Sequence, residues 1–294
     1  MTVLQPIIAR REVTTRILQA FHLKADKNLG QNFLVEESVV NRIAGAAELT
    51  AEDTVLEIGP GIGTLTQSLA LTGAKVVAVE LDKRLIPVLT ETVGSYENVR
   101  IVQGDILKLH IPDIVGAQPF KVCANLPYYI TTPILMNLLE QKLPLECLVV
   151  MVQKEVAQRM TASPGGRDYG AISVAMQYYT EPHIAFVVKA GSFLPAPKVD
   201  SAVLVCKGRA KPPVEVTDEK VFFKVVAAAF SVRRKMLSNS LKNMGGLNGT
   251  QVADWLQKAG IDGKRRAETL SLEEFARLAE AWVERRNDTE TERT

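Results

Sequence analysis

Val55-Leu56-Glu57-Ile58-Gly59-Pro60-Gly61-Ile62-Gly63 joins a short apolar run to a glycine-rich turn. The run before Gly59 is typical of a buried strand, and the pattern after Gly63 is helical. Glycines let a backbone turn sharply and approach a ligand, because no Cβ stands in the way. A tight strand-to-helix turn without a ligand would use the same residues, so this motif alone leaves both interpretations open.

Two acidic residues follow the next two predicted strands. Glu80 ends the predicted strand Val76–Glu80, about 20 residues after the glycine turn, where a carboxylate can accept both ribose hydroxyls. Asp105 follows the predicted strand Arg100–Gln103 and is placed to accept a hydrogen bond from an adenine amine. Because ligands of open α/β sheets bind at the carboxyl ends of the strands, the ordered set predicts a site for an adenosine-containing cofactor.

The stretch Asn125-Leu126-Pro127-Tyr128 follows the fourth predicted strand. An exocyclic adenine amine is a poor nucleophile, because its lone pair is delocalised into the ring. The Asn125 side-chain oxygen and the Leu126 carbonyl can accept its two N–H groups and aim the lone pair at an electrophile, while Tyr128 offers a π-face. A β-turn that uses Asn and Pro for backbone reasons is the alternative. The cofactor motifs upstream favour the catalytic interpretation.

Strands and helices alternate over the first two-thirds of the chain. This pattern predicts an α/β fold with a mostly parallel sheet, and the closer spacing of the last strands predicts an antiparallel end to it. The predicted strands are Thr54–Ile58, Val76–Glu80, Arg100–Gln103, Lys121–Ala124, Leu148–Gln153, Ile184–Val188 and Ala202–Cys206.

The C-terminal part is predicted to be entirely helical. A polar, proline-stiffened linker follows Cys206, and Ser271-x-x-Glu274 has the pattern of a capping box. We therefore predict a catalytic domain over residues 1–208, a small helical domain over 214–286 and a disordered tail over 287–294.

Composition excludes several classes of protein. The 294 residues have 47% hydrophobic and 23% charged side chains, which is ordinary for a globular protein and excludes disorder of the whole chain. No apolar run is long enough to span a membrane, and no secretory signal is evident. The three cysteines fit reduced thiols in a cytoplasmic protein, and the scattered histidines predict no metal site. Serine-hydrolase elbows and P-loops are absent from the sequence.

Together these motifs resemble the class I S-adenosylmethionine-dependent methyltransferases, whose fold is Rossmann-like. More narrowly, the chain resembles the ribosomal RNA adenine dimethyltransferases, in particular the bacterial enzymes of the small subunit. Beyond the glycine turn, Glu80 and Asp105, the resemblance rests on residues 27–34, 125–133, 152–157, 193–203, 230–235 and 266–270, so it extends over nearly the whole chain.

The resemblance implies a role for each matching residue. Asn32 and Leu34 would cover the methionine end of S-adenosylmethionine, and Gly59 and Gly61 would line its carboxypropyl and ribose side. Glu80 would bind the ribose and Asp105 the adenine. Asn125 would contact both the cofactor and the target amine. Leu126 would hold that amine, and Phe193 would flank the flipped base opposite Tyr128. The positions are Asn32, Leu34, Gly59, Gly61, Glu80, Asp105, Asn125, Leu126, Tyr128 and Phe193.

The same resemblance implies the reaction and the partner. The amine would attack the methyl group directly, without a general base, and two neighbouring adenosines near the 3′ end of 16S ribosomal RNA would be dimethylated. The partner would be the small ribosomal subunit or its assembly intermediate. Nothing in the sequence specifies the oligomeric state, for which a monomer is the default expectation. Two alternatives stay open: a 23S ribosomal RNA methyltransferase of the macrolide-resistance type, and a non-catalytic RNA-binding assembly or transcription factor.

The basic residues that would bind RNA are concentrated in the C-terminal part. The net charge of the whole chain is only +2, whereas residues 207–294 contain 17 basic and 13 acidic side chains. Two clusters are candidates for phosphate contacts. They consist of Arg233, Arg234, Lys235 and Lys242, and of Lys264, Arg265 and Arg266.

Overall fold

The computed structural model describes residues 6–26, 30–232 and 234–291, with side chains described as far as residue 286. The strands in these ranges are β1 Phe33–Leu34, β2 Thr54–Ile58, β3 Lys75–Glu80, β4 Val99–Gln103, β5 Phe120–Asn125, β6 Leu145–Gln153, β7 Thr180–Val188, β8 Phe193–Leu194 and β9 Ser201–Gly208. The α-helices are α1 Arg11–Ala20, α2 Glu37–Ala46, α3 Thr64–Ala70, α4 Ile86–Val93, α5 Ile111–Val115, α6 Thr131–Glu140, α7 Lys154–Met160, α8 Ala171–Tyr179, α9 Glu219–Phe230, α10 Leu237–Ser240, α11 Gly249–Lys258 and α12 Leu272–Thr291.

The main sheet has seven strands in the order β4-β3-β2-β5-β6-β9-β7. The five strands from β4 to β6 are parallel, and β9 runs antiparallel to β6, as the sequence predicts. From the central β2 the chain first builds β3 and β4 on one side, then crosses to build β5 and β6 on the other. The gap between β2 and β5 is therefore a topological switch point, the place where open α/β sheets bind ligands.

The sheet is buried on both faces, which explains why its strands read as continuous apolar runs rather than alternating ones. In β2, Val55 and Leu56 are both fully buried. Val55 belongs to an apolar cluster that includes residues of α2 and α3. A second cluster around α4 contains Ile62 and Leu89. Cys123, Cys147 and Cys206 are buried and form no disulfide.

The chain divides into two compact units. Unit 1 comprises residues 1–157 and 181–208, and unit 2 comprises residues 158–180 and 209–294. This division also falls after residue 208, but it groups residues 158–180 with unit 2, whereas the sequence predicts them in the catalytic domain. These residues belong to unit 2 because the aromatic side chains of α8 pack on α9: the Tyr178 and Phe222 rings are stacked 5.1 Å apart.

Unit 2 is helical apart from its share of β7, and its helix ends are capped by side chains. Asp218 accepts the backbone N–H of Lys220 at the start of α9. The predicted capping box of α12 is present, because the Ser271 backbone N–H donates to Glu274 Oε2 at 2.9 Å and the Glu274 N–H donates to Ser271 Oγ at 3.3 Å. Helix α12 continues to Thr291, so residues 287–291 are helical and not disordered as predicted. The residues just before them, Glu284, Arg285 and Arg286, are strong helix formers.

Two findings limit what the protein can contain within the described ranges. The longest helix there is the 20-residue α12, and no helix combines the length and apolar character that a membrane span requires. In those same ranges, no group of three His, Cys, Asp or Glu side chains is arranged to hold a metal ion.

Candidate active site

The glycine turn after β2 forms one wall of a cavity at the switch point of unit 1. Gly61 has a φ of +63° and its amide faces Glu80, while Gly63 has a φ of +89°. A Cβ on Gly63 would lie 2.8 Å from Cγ1 of Val93, so this glycine lets α3 and α4 approach closely. A Cβ on Gly59 would meet no atom within 4 Å. The turn therefore has both the left-handed backbone and the open space that a bound ligand requires.

Glu80 is the last residue of β3 and lines the cavity. Its Oε2 accepts the Gly61 N–H at 3.1 Å, and its Oε1 accepts the Asp82 N–H at 2.8 Å. Burial raises the pKa of Glu80 above its ordinary value, while the two backbone donors oppose that shift. Each oxygen of an ionised carboxylate has further acceptor capacity, so Glu80 could still accept hydroxyl groups of a ligand.

Asp105 lies on the cavity wall beyond β4. Its Oδ1 accepts the Leu107 N–H at 3.1 Å, and its Oδ2 lies 3.5 Å from Nζ of Lys108. Gly104 precedes it, and a Cβ there would lie 2.9 Å from Cδ1 of Leu109. The close Gly104–Leu109 contact and the Leu107 amide hold Asp105 in place at the cavity.

The segment before and within β1 covers part of the cavity. Gln31 donates to Asp82 Oδ2 at 2.9 Å, and Arg84 donates to the same oxygen at 2.7 Å. Hydrogen bonding to Arg84 lowers the pKa of Asp82, so this anchor stays charged. Asn32 and Leu34 both line the cavity, and Leu34 is buried.

Asn125 and Leu126 present two hydrogen-bond acceptors at the end of β5. Asn125 Nδ2 donates to the Asn32 carbonyl at 3.3 Å, which leaves its Oδ1 as an acceptor. The Leu126 N–H donates to Met151, and the Pro127 carbonyl accepts the Thr131 hydroxyl at 3.0 Å. Among the described residues, no donor occupies Asn125 Oδ1 or the Leu126 carbonyl. The neighbouring polar groups are thus satisfied while these two acceptors remain available.

Two tyrosines lie at the cavity wall. The Tyr128 hydroxyl is 2.7 Å from Ser201 Oγ, and burial raises the Tyr128 pKa, so the phenol is neutral at neutral pH. Tyr129 also lines the cavity, and its side chain is 56% exposed. The sequence analysis did not predict it as a site residue. A Cβ on Gly30 would lie 3.4 Å from Cδ1 of Tyr129, so this ring rests on the backbone of Gly30. The sequence feature that could have indicated Tyr129 is its position directly after Tyr128.

Phe193 is buried in the core of unit 1. Strands β1 and β8 pair antiparallel, with Phe193 opposite Leu34, so both side chains point to the same face. Phe193 is 1% exposed and belongs to the apolar cluster of α2, α3 and the sheet. Among the described residues it does not line the cavity. The expected position of its ring opposite Tyr128 stays a prediction.

Two buried polar side chains at the cavity were not predicted. Glu57 is 1% exposed, and Thr64 is 6% exposed. Among the described residues, Glu57 Oε2 and Thr64 Oγ1 have no hydrogen-bond partner. Burial raises the pKa of Glu57 to about 8, so its carboxyl is mostly protonated at neutral pH. Glu57 is the only acid in the otherwise apolar run Val55–Ile58, and this feature of the sequence could have predicted a special role for it.

The cavity is lined by acidic groups and not by basic ones among the described residues. Its walls include the carboxyl groups of Glu57, Glu80 and Asp105, and the lining residues that the structure describes include no Lys, Arg or His. Such a cavity favours a ligand with positive charge and disfavours an anion.

The basic residues of unit 2 differ in their surroundings. Arg233 lies outside the described residues. Five others are exposed to solvent: Arg234, Lys235, Lys242, Lys264 and Arg266. Arg265 is different, because its guanidinium donates to Glu274 Oε2 at 2.9 Å and to the Thr269 carbonyl at 2.7 Å. Arg265 therefore stabilises the start of α12, and it is a poor candidate for a phosphate ligand.

Comparison with known proteins identifies the family. The model of the family described as ribosomal RNA adenine dimethylase matches residues 22–283. The chain belongs to this family. Two curated relatives are both named ribosomal RNA small subunit methyltransferase A. The one from Clostridioides difficile is 45% identical over 92% of this chain and 96% of its own length, and the one from Bacillus cereus is 49% identical over 94% and 97%.

Solved structures support the same assignment. A dimethyladenosine transferase from Plasmodium falciparum superposes with a TM-score of 0.72 at 25% identity, covering 84% of this chain and 95% of that one. The 23S ribosomal RNA methyltransferase ErmE superposes with a TM-score of 0.65 at 30% identity, covering 85% of this chain and 99% of that one. The expected class I methyltransferase fold is thereby confirmed, as is the expectation that the chain is a ribosomal RNA adenine dimethyltransferase.

Proposed function

We propose that the protein transfers methyl groups from S-adenosylmethionine to the N6 atoms of two neighbouring adenosines near the 3′ end of 16S ribosomal RNA. The choice of the small subunit is supported by relatives of that name at 45–49% identity over more than nine-tenths of the chain. The likeness to the large-subunit enzyme ErmE is lower, at 30% identity. We therefore propose 16S ribosomal RNA, rather than 23S ribosomal RNA, as the substrate.

The residues of the cavity fit the cofactor. Its ribose hydroxyls match the paired oxygens of Glu80, its adenine amine matches Asp105, and its net positive charge matches walls with three carboxyl groups and no basic side chain among the described residues. Gly59 and Gly61 would lie along the ligand, and Asn32 and Leu34 would cover its methionine end. When bound, the cofactor supplies a methyl group on a sulfonium. The protein must then position an amine.

The observation that carries the proposal is the pair of available acceptors at Asn125 Oδ1 and the Leu126 carbonyl. They can accept both N–H groups of an adenine amine, which draws its nitrogen towards tetrahedral geometry. Tyr128 provides a ring on which the flipped base can stack, worth about 1–3 kcal/mol. After methylation the amine is protonated and acidic enough to lose its proton to water, so no protein base is needed. Catalysis depends on positioning and on electrostatics.

Replacing Asn125 tests this function. Asn125→Ala should lower the rate of methyl transfer to unmodified small-subunit particles by about 10²- to 10³-fold, by analogy with the loss of one oxyanion donor. The product nucleoside should be N6-dimethyladenosine, detected in small-subunit RNA by nucleoside analysis. The control is Asn41→Ala, since Asn41 is exposed on α2 and away from the cavity lining.

Three results would contradict the proposal. Near-normal turnover of Asn125→Ala would exclude the role of its side chain. Methylation of large-subunit RNA by the unaltered protein would favour the macrolide-resistance activity, and RNA binding without any methyl transfer would favour an assembly factor.

We further propose that the protein acts as a monomer in the cytoplasm, with phosphate contacts from the exposed basic residues of unit 2.

A further inference from the structure

Glu57 is a buried acid with no role in the mechanism above. It lies in the middle of the sheet, paired in register with Ala78 of β3 and Cys123 of β5. Its carboxyl lines the cavity, yet among the described residues Oε2 has no donor. A buried polar atom without a partner is unfavourable, so such an atom calls for an explanation.

The groups that face Glu57 make its ionisation unfavourable in the free protein. Glu80 on β3 is a like charge, and burial and Glu80 together raise the pKa of Glu57, while Thr66 on α3 opposes that shift. The Cys123 thiol on β5 is held neutral by burial, which raises its pKa. The cavity lining that the structure describes offers no cation in compensation. The carboxyl group therefore keeps its proton until a positive charge arrives.

S-adenosylmethionine and its product differ by that charge. The methyl donor has a sulfonium, an ammonium and a carboxylate, for a net charge of +1. The demethylated product, S-adenosylhomocysteine, is a neutral thioether with the same adenosine and the same amino-acid end. An acid that ionises only beside the extra cation would thus distinguish donor from product in a way that ribose and adenine contacts do not.

We propose that Glu57 is a proton-linked charge sensor, which is protonated in the free protein, releases its proton to solvent when the cationic methyl donor occupies the cavity, and keeps it when the neutral product does. This inference rests on the proposed cofactor. It gives the donor an advantage over the product that increases with pH, because each donor bound expels a proton.

Titration calorimetry measures this proton directly. Binding of S-adenosylmethionine and of S-adenosylhomocysteine is measured near pH 7 in phosphate and in Tris, two buffers with different ionisation enthalpies. The difference between the buffers gives the number of protons released. We expect release of nearly one proton with the donor and of substantially less with the product. The donor association constant should increase with pH by up to tenfold per unit, and that of the product should change less.

Two variants identify the responsible group. Glu57→Gln, a neutral isostere of the protonated acid, should abolish the difference in proton release between donor and product. Glu80→Gln should retain that difference even where it weakens both ligands, because both have the same ribose. Equal proton release by donor and product in the unaltered protein would overturn the inference, as would a difference that survives in Glu57→Gln.

The calorimetry also separates this inference from the proposed function. If both ligands bind but release protons equally, the cofactor assignment stands and the sensor is wrong. If neither ligand binds, the cofactor assignment fails and the inference fails with it. The unaltered protein provides both readouts, so neither depends on whether a variant folds.

Discussion

The pKa of Glu57 is determined by the surroundings of its carboxyl group more than by the carboxyl group itself. An isolated glutamate titrates near pH 4.3. In β2 the same carboxyl is 1% exposed, and its pKa is raised to about 8. The folded protein therefore binds a proton at neutral pH that the unfolded chain has already released.

This difference predicts how stability changes with pH. Between about pH 4.3 and pH 8 the folded state holds more protons than the unfolded state, so the contribution of Glu57 to stability falls as pH rises, by at most about 1.4 kcal/mol per unit. Chemical unfolding of the unaltered protein from pH 5 to pH 8 should show this decline. Glu57→Gln should flatten it, because the amide does not titrate.

Glu140→Gln is the matched control for that series. Glu140 is exposed at the end of α6, so its loss should leave the unaltered profile in place. A Glu57→Gln protein whose stability declines as steeply as that of the unaltered protein would show that Glu57 ionises normally in the fold.

At the scale of elements, the short pair of β1 and β8 joins two motifs that are about 160 residues apart in the chain. Its register places Leu34 and Phe193 on one face and Phe33 and Leu194 on the other. Leu34 and Phe193 both belong to the apolar cluster of α2, α3 and the sheet, and both Phe33 and Leu34 line the cavity. A shift of one residue would exchange the two faces.

Matched substitutions distinguish core packing from base stacking. Phe193→Ala should lower the free energy of unfolding by about 3–5 kcal/mol. Phe193→Leu should lower it by less and retain most of the turnover, because an aliphatic side chain can fill a core position. Tyr128→Leu should reduce turnover with little loss of stability, while Tyr128→Phe keeps the ring. Unfolding curves and single-turnover methyl transfer measure both effects.

The opposite pattern would return Phe193 to the base-binding site. If Phe193→Leu loses turnover as severely as Tyr128→Leu while its unfolding curve is unchanged, the ring contacts substrate rather than the core.

At the scale of the whole molecule, charge is distributed unevenly between the two units. The cavity of unit 1 is lined by carboxyl groups, whereas unit 2 has the exposed basic residues proposed to bind RNA. Binding of a polyanion by such residues weakens with salt, because counterions are released from the phosphates. Arg265 differs from them because it is half-buried and contacts both carboxylate oxygens of Glu274, whereas the exposed Arg266 has a longer ion pair of 3.6 Å with Glu268.

Salt dependence separates these residues. Lys264→Ala and Arg266→Ala should each reduce the log–log salt slope of RNA binding by about 1 and leave thermal stability unchanged. Arg265→Ala should lower stability by about 1–2 kcal/mol, because Glu274 loses its partner, and should barely change the slope. Filter binding at several salt concentrations and thermal unfolding measure the two quantities. A reduced slope for Arg265→Ala with unaltered stability would make Arg265 a phosphate ligand.

Much of unit 1 could be predicted from local sequence. The prediction of Thr54–Ile58 matches β2 at both ends, and the helix after Gly63 begins at Thr64 as expected. Gly59, Gly61, Glu80, Asp105 and Asn125 all reach one cavity because each follows a parallel strand. The grouping of residues 158–180 with unit 2 was not predictable, because it depends on the packing of Tyr178 against a helix some 40 residues later in the chain.

Local sequence was enough to predict the succession of strands and helices along the chain, the glycine turn, and the acids and amide at the strand ends. Those features depend on backbone geometry and on neighbours close in the chain. The burial of Phe193, the pairing of Arg265 with Glu274 and the raised pKa of Glu57 arise only in the folded protein. Burial, strand register and electrostatic environment arise from residues distant in sequence, and no local pattern specifies them.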